Sequence, residues 1–371
     1  MKVALVHDYL KEFGGAERVL EVLHRLWPEA PVFTAFFDRQ ALGPAAERFA
    51  DWDIRTSFAQ RLPAIGRRHH TLRFLIPYFW ESLDLSGFDL VISSSSGYLS
   101  KSVLTRPETL HICYCHTPPR YLWGYAQPAA ASWYRRAYEL WVNTGLRQYD
   151  FAASQRVDRF VANSHAVARR IAKFYGKSAQ VIPPPVRVHG GGRAGDEYYL
   201  YVGRLSRPKQ VDLAIRACEQ LNRPLWIVGS GQEEARLRAL AGPGVRFLGN
   251  LPDERMAEIY AGAKALLFPC AHEDFGIVPV EAMGHGVPVI ALDQGGVRES
   301  VVEGRTGLFF AEASPASLCA AIERFEAHHF SARACIERAG QFSEAVFSRR
   351  FEQLVESEFN VSRLPASPLP L

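Results

Sequence analysis

Residues 265–299 read ALLFPCAHEDFGIVPVEAMGHGVPVIALDQGGVRE. The apolar run from Ala265 to Phe268 has the look of a buried parallel strand, and a polar loop through Glu273 and Asp274 follows it. From Ile277 the pattern turns helical. Pro279 is tolerated there because its missing N–H would be unpaired in a first turn anyway. Gly284 and Gly286 end the helix, residues 288–291 form the next strand, and Gly295-Gly296 makes another tight turn. Strand, acidic loop, glycine and helix start is an arrangement that aims backbone N–H groups at an anion. Two carboxylates frame it, Glu273 before the helix and Glu281 in its early turns. A helix start suits phosphate, and carboxylates suit uncharged sugar hydroxyls. Each glutamate alone also fits a blander role, as a helix-dipole partner or a solvated loop residue.

Working outward, the same alternation fills the second half of the chain. A strand at 198–202 leads to Gly203-Arg204-Leu205-Ser206-Arg207-Pro208-Lys209-Gln210 and a helix from Val211. Further strands at 225–228 and 245–248 lead to Gly229-Ser230-Gly231 and Gly249-Asn250-Leu251. Arg204 and Lys209 share one strand-to-helix loop beside a helix N-terminus. Two fixed cations there can hold a diphosphate and stabilise its charge as it leaves.

The first half begins with a strand at 2–6, then His7-Asp8-Tyr9-Leu10, Gly14-Gly15 and a helix with apolar positions at Val19, Val22, Leu23 and Leu26. The glycines permit close approach of a ligand to the backbone. They do not form the G-x-G-x-x-G fingerprint, which argues against a dinucleotide. A strand at 110–115 ends at His116-Thr-Pro-Pro-Arg120-Tyr-Leu-Trp123, a rigid loop where open α/β sheets place chemistry. Asp51 and Asp53 form a D-x-D that reads as ordinary strand sequence rather than a metal site. Gly176-Lys177-Ser178 lacks the upstream glycine of a phosphate loop, since residue 171 is Ile.

The chain has 371 residues, 48% hydrophobic and 22% charged, which suits two domains of ordinary size. No apolar run approaches the roughly 20 residues that span a bilayer, and the first residues read as a strand, not a leader. The six cysteines show no metal or redox spacing, which favours reduced thiols in the cytosol. Net charge is +4, but residues 1–185 carry 23 Lys+Arg against 16 Asp+Glu, and the remainder 20 against 23. The first half is therefore the one expected to meet an anionic surface or acceptor. Within it, residues 54–80 hold no carboxylate and interleave Arg55, Arg61, Arg67, Arg68 and Arg73 with aromatics. That composition suits an anionic membrane surface, and equally a core-facing helix with a solvated basic face. No nucleic-acid recognition motif accompanies it.

Together these residues resemble the retaining glycosyltransferases of family 4. The motifs are Glu273-Asp-Phe-Gly-Ile-Val-Pro-Val-Glu281, Gly203-Arg204-Leu205 with Lys209, Gly14-Gly15, and His116-Thr-Pro-Pro-Arg120. The wording is most similar to bacterial polysaccharide mannosyltransferases. The resemblance implies an α/β GT-B fold, with two Rossmann-like domains facing each other across a cleft. It divides the chain into an acceptor-side domain (1–185), a donor-binding domain (186–345), a helix returning to the first domain (346–360) and a disordered tail (361–371). It implies transfer of a hexose, mannose from GDP-mannose or alternatively a UDP-sugar, to a lipid-linked or polysaccharide acceptor. A non-catalytic nucleotide-sugar-binding partner is the remaining alternative. The implied setting is the cytoplasm, with peripheral contact at the inner membrane face through 54–80, and no cofactor or metal.

Carried over by position, Arg204 and Lys209 would grip the donor diphosphate. Glu281 would hold the ribose, Glu273 the hexose hydroxyls, and backbone N–H groups of Phe275, Gly276 and Ile277 the sugar and phosphate. Asn250 and Leu251 would face the base, and Gly14 and Gly15 would close on the donor. His116 would sit by the sugar, with Tyr9, Arg120 and Trp123 on the acceptor side. One departure stands out: Arg207-Pro208-Lys209-Gln210 replaces the Lys-Gly of many members.

Overall fold

The structure is a computed structural model that describes residues 1–124, 133–188, 195–271 and 273–362. The Gly190-Gly191-Gly192 run, and residues 363–371 of the expected tail, lie outside the described residues. The chain divides into two compact units. One comprises Met1–Pro183 and the chain from Phe347 onward, the other Pro184–Val346.

The first unit is built on seven parallel strands. They are β1 (Val3–His7), β2 (Val32–Thr34), β3 (Ile54–Thr56), β4 (Leu90–Ser95), β5 (Leu110–Cys115), β6 (Arg159–Ala162) and β7 (Ala179–Val181). Their spatial order is β3-β2-β1-β4-β5-β6-β7. The second unit has six: β8 (Tyr198–Val202), β9 (Leu225–Val228), β10 (Val245–Gly249), β11 (Ala263–Phe268), β12 (Val289–Leu292) and β13 (Gly307–Phe310). Their order is β10-β9-β8-β11-β12-β13. Both sheets reverse direction of growth beside their first strand, at β1/β4 and at β8/β11. Open α/β sheets bind ligands outside the strand carboxyl ends at such switch points.

Strand sequences are near-continuously apolar because helices cover both faces of a parallel sheet. Alternation sorts the residues: Leu200 and Leu266 enter one core of the second unit, while Tyr199, Tyr201, Ala265 and Leu267 enter the other. In the first unit Leu5, Ile92, Ile112 and Tyr114 share one face. The final helix, Glu344–Ser362, lays Phe347, Phe351, Leu354 and Val355 onto that face. The spacing is one stripe of a 3.6-residue repeat. This helix continues past residue 360, where the tail was expected to begin.

Residues 54–80 fold as β3 followed by short helical turns, not as one amphipathic helix. Ile65, Ile76, Phe79 and Trp80 are core residues, and the Trp80 indole donates to Tyr98 O at 2.6 Å. Arg73 packs its guanidinium over the Tyr121 ring at 4.6 Å. Phe79 and Trp80, two of the five Phe, Tyr and Trp residues of this segment, are thus core, and Arg73 is not part of a solvated basic face. Phe58, Phe74 and Tyr78 remain exposed. The D-x-D is likewise occupied: Arg55 donates to Asp53 Oδ2 at 2.7 Å.

Candidate active site

In the second unit, the loop after β8 meets the loop after β11 across the switch point. The loop after β8 is held on its other side by the end of β9, where Gly203 and Leu205 donate backbone hydrogen bonds to Val228 O and Ser230 O at 3.0 and 2.9 Å. The approach is so close that a Cβ on Gly229 would lie 2.0 Å from Gly203 O. The chain then forms a short turn, Arg207–Lys209, and Gln210 takes a left-handed φ of 49° before the helix Val211–Gln220. This is the local answer to Pro208-Lys209-Gln210 in place of the Lys-Gly that the resemblance led one to expect: Gln210 adopts the conformation a glycine would supply.

Lys209 Nζ donates to Glu273 Oε2 at 2.5 Å. Burial works against the ammonium charge, and Glu273 and Cys270 outweigh it, so Lys209 holds its proton above the ordinary lysine range. The buried Cys270 thiol donates to the same carboxylate oxygen, at 3.0 Å. Its burial and the neighbouring carboxylate raise the thiol well above its ordinary range, so it stays protonated. The Glu273 loop is braced from behind. Gly296 N donates to Glu273 O at 2.9 Å, and a Cβ on Gly296 would come within 2.1 Å of Asp274 O.

Gly276, at φ 87°, opens the helix Ile277–Gly284 that carries Glu281. Phe275 turns its buried ring toward Phe342, leaving its backbone as the part available at the loop. Arg204 is exposed at the head of the β8 loop, and Tyr201 OH donates to its carbonyl at 3.1 Å. Asn250 follows β10 and donates from Nδ2 to Ser230 Oγ at 2.9 Å, while Leu251 packs on the core. Arg204, Lys209, Glu273 and Asn250 therefore all lie at the carboxyl end of one sheet.

In the first unit, His116 lies one residue beyond β5. Its Nε2 is 2.8 Å from Ser94 Oγ at the end of β4, and Asn163 Nδ2 donates to its carbonyl at 2.9 Å. Burial pushes the imidazole down to about 3, so it is neutral near pH 7. His7, at the end of β1, reaches Ser94 Oγ with Nδ1 at 3.1 Å and Glu17 Oε1 with Nε2 at 3.3 Å. Gly14 caps the helix Gly15–Leu26 and donates its N–H to Glu17 Oε2 at 2.8 Å. Gly14 and His116 are thus joined through three residues, Glu17, His7 and Ser94, that sequence reasoning did not single out.

Three further first-unit candidates are Tyr9, Arg120 and Trp123. Tyr9 stacks on Phe36 at 5.3 Å. Arg120 opens the short helix Arg120–Trp123. Trp123 stacks on Phe174 and donates its indole N–H to Asp150 at 2.8 Å. Asp150 is fully buried and also accepts from Tyr175 OH and from Lys101. Asp8 was missed as well. Its carboxylate accepts from the backbone N–H groups of Ser96, Tyr98 and Ser100 at 2.8–3.0 Å, fixing the loop after β4. No spacing rule points to Asp8, because its partners are some 90 positions away.

The Glycosyltransferase Family 4 model matches residues 13–189, and the Glycosyl transferases group 1 model matches residues 188–342. A D-inositol 3-phosphate glycosyltransferase of Nocardia farcinica is 33% identical over 184 residues, covering 41% of each chain. A glycogen synthase of Thermus thermophilus is 39% identical over 127 residues, 32% of this chain and 29% of that one. The chain thus spans less than half the length of these curated relatives. Among solved structures, Anabaena HepE in complex with UDP and glucose superposes with a TM-score of 0.69 at 18% identity, over 96% of this chain and 100% of that one. The sucrose-phosphate synthase of Thermosynechococcus elongatus gives 0.71 at 18%, over 97% and 100%. At such identity the likeness shows the fold, which is GT-B. With one family model on each unit and this fold throughout, the chain belongs with the group 1 and family 4 glycosyltransferases.

Proposed function

We propose that the protein transfers a hexose from a nucleoside diphosphate sugar to a hydroxyl acceptor with retention of anomeric configuration. The observation that carries this reading is the Lys209–Glu273 pair at the β8/β11 switch point, beside the Gly276 helix start and Glu281. With donor present, Lys209 and Arg204 would take the diphosphate, and Glu273 the sugar hydroxyls. The bond between the anomeric carbon and phosphate oxygen breaks, the nucleoside diphosphate leaves, and the acceptor oxygen bonds from the same face. The acceptor proton passes to a departing phosphate oxygen. Positioning and electrostatic stabilisation of the leaving group are then the main catalytic terms, with no metal in the reaction.

The donor we favour is GDP-mannose, on the sequence wording. A UDP-sugar is the second reading, supported by the UDP and glucose held by HepE. Turnover measured with GDP-mannose, UDP-glucose, UDP-galactose and UDP-N-acetylglucosamine, each with and without EDTA, decides between them. Release of nucleotide from none of these donors, with any acceptor saccharide, would overturn the transferase reading. Loss of activity in EDTA would overturn metal independence.

The acceptor is proposed to be a lipid-linked saccharide, met at a membrane surface by the first unit. Exposed Phe74 and Tyr78, with exposed Arg67 and Arg68, support this. So do exposed Trp133, Leu140 and Trp141 on the helix Trp133–Gln155, which is tied to the same segment by Tyr138 OH donating to Thr71 O. Co-sedimentation with anionic liposomes should fall in Trp141→Ser with Tyr78→Ser. Unchanged binding by that pair discards this surface.

A further inference from the structure

The side chains that link Gly14 to His116 form one unbranched sequence of polar contacts at the β1/β4 switch point. Glu17 Oε1 is 3.3 Å from His7 Nε2, His7 Nδ1 is 3.1 Å from Ser94 Oγ, and Ser94 Oγ is 2.8 Å from His116 Nε2. Strand geometry produces it. His7 and Ser94 are register partners on β1 and β4, on the face that carries Leu5 and Ile92, and His116 continues the row of Ile112 and Tyr114. His7, Ser94 and Glu17 are buried, so water does not complete their hydrogen bonds.

A hydroxyl has one hydrogen, and a neutral imidazole has one N–H and one bare nitrogen. The direction of every bond is therefore set from the Glu17 end. Glu17 is an ionised acceptor: burial opposes its charge, but His7 and the backbone N–H groups of the helix start hold it below the ordinary carboxylate range. His7 Nε2–H donates to it. In the form of His7 that carries one proton, on Nε2, its Nδ1 accepts the Ser94 hydroxyl proton and the Ser94 oxygen accepts from His116 Nε2–H; a His7 protonated on both nitrogens would reverse both bonds, and finding it so in the parent overturns the relay. His116 then presents a bare Nδ1, the ring nitrogen that this relay leaves to a ligand.

We propose that Glu17, His7 and Ser94 are positioning residues that fix the tautomer of His116, so that its Nδ1 accepts a hydrogen bond from a hydroxyl of the bound saccharide. The ligand assignment rests on the transferase reading, whereas the tautomer does not. In Glu17→Gln the Gly14 N–H, 2.8 Å from the outer carboxylate oxygen, retains the amide oxygen there and turns the amide NH2 toward His7. Every bond then reverses: His7 Nδ1–H donates to Ser94, Ser94 donates to His116 Nε2, and His116 carries its proton on Nδ1.

The test is nitrogen-15 NMR of the full chain labelled at histidine, with the His116 signals assigned by their loss in His116→Gln. The parent should show a protonated Nε2, and Glu17→Gln a protonated Nδ1, at pH 7. Ser94→Ala, which removes the relay hydroxyl with little change in volume, should free His116 to populate both tautomers. In the Glu17→Gln/Ser94→Ala double variant His116 should match Ser94→Ala alone. A protonated Nδ1 in the parent, or the same tautomer in parent and Glu17→Gln, overturns the proposal. Should Glu17→Gln not fold, an unchanged His116 tautomer in Ser94→Ala overturns it. On a donor that the parent turns over, kcat for Glu17→Gln should fall about tenfold, the scale of one lost hydrogen bond to substrate, with the donor KM unchanged. Unchanged kcat despite a reversed tautomer overturns the assignment of Nδ1 to the saccharide. An inactive parent with the expected tautomers counts instead against the transferase reading.

Discussion

Lys209 and Glu273 neutralise one another at 2.5 Å, each only partly exposed, and their elements lie on neighbouring strands. Replacing Lys209 by Ala removes a cation expected beside the leaving group, while the Cys270 thiol still donates to Glu273. The expected cost is about 3 kcal/mol of transition-state stabilisation, roughly a hundredfold in kcat/KM. Thermal unfolding should stay close to that of the parent, because a partly exposed pair contributes little to stability. Near-parent turnover in Lys209→Ala sinks the diphosphate assignment. Arg204, Lys209 and Glu273 were legible as candidates because charge on a strand-to-helix loop is a local pattern, and Glu281 because it sits in the helix that follows. Cys270, Ser94, His7 and Glu17 were not. A cysteine reads as a small apolar residue, and a serine ending a strand reads as a turn; Ser94 gains meaning only from His7, 87 positions away.

Helices and loops show a similar division. The closing helix was legible through its apolar spacing, but which core it enters is decided by the shapes it meets. Phe347 and Phe351 lie against Tyr114 at 5.8 and 6.3 Å between ring centroids. Phe351 is fully buried, so Phe351→Ala should cost about 3–5 kcal/mol in urea unfolding of the first unit. A loss confined to the second unit would contradict the seating of this helix. Residues 54–80 went the other way. Their composition suggested one basic amphipathic surface, whereas short helical turns send Phe79 and Trp80 inward and Tyr78 outward. Composition records which residues are present, and only the backbone path settles which way each one points. Trp123 makes the same point, since a loop aromatic beside a candidate catalytic histidine proves to be tied to buried Asp150.

For the whole molecule, the repeated strand order places the candidate site residues of each unit at a switch point, and it also buries titratable groups. His111 on β5 is fully buried, with Nε2 2.8 Å from Ser93 Oγ, and burial pushes it from an ordinary 6.5 down to about 3. The unfolded chain takes up a proton at this residue below pH 6.5, and the folded chain does not until about pH 3. The neutral form's contribution is therefore fully present above pH 6.5 and is lost as pH falls from there toward 3. The slope is about 1.4 kcal/mol per pH unit for this one histidine. Urea unfolding at pH 7 and pH 5.5 should show stability falling with acid, and His111→Gln should flatten that fall. An equal fall in both proteins would contradict it.

By itself the sequence determined the α/β alternation, the division into two parallel-sheet units and the loops on which charge and glycine gather. Each is written in a short period or a local spacing, and local patterns survive without coordinates. Tertiary structure alone decided which charges meet and how the imidazoles are held. Lys209 finds Glu273 across 64 positions, and His7 finds Ser94 across 87. Strand order brings such pairs together, and strand order is a property of the packed sheet, fixed by the burial of its two faces and invisible in the spacing of any one segment.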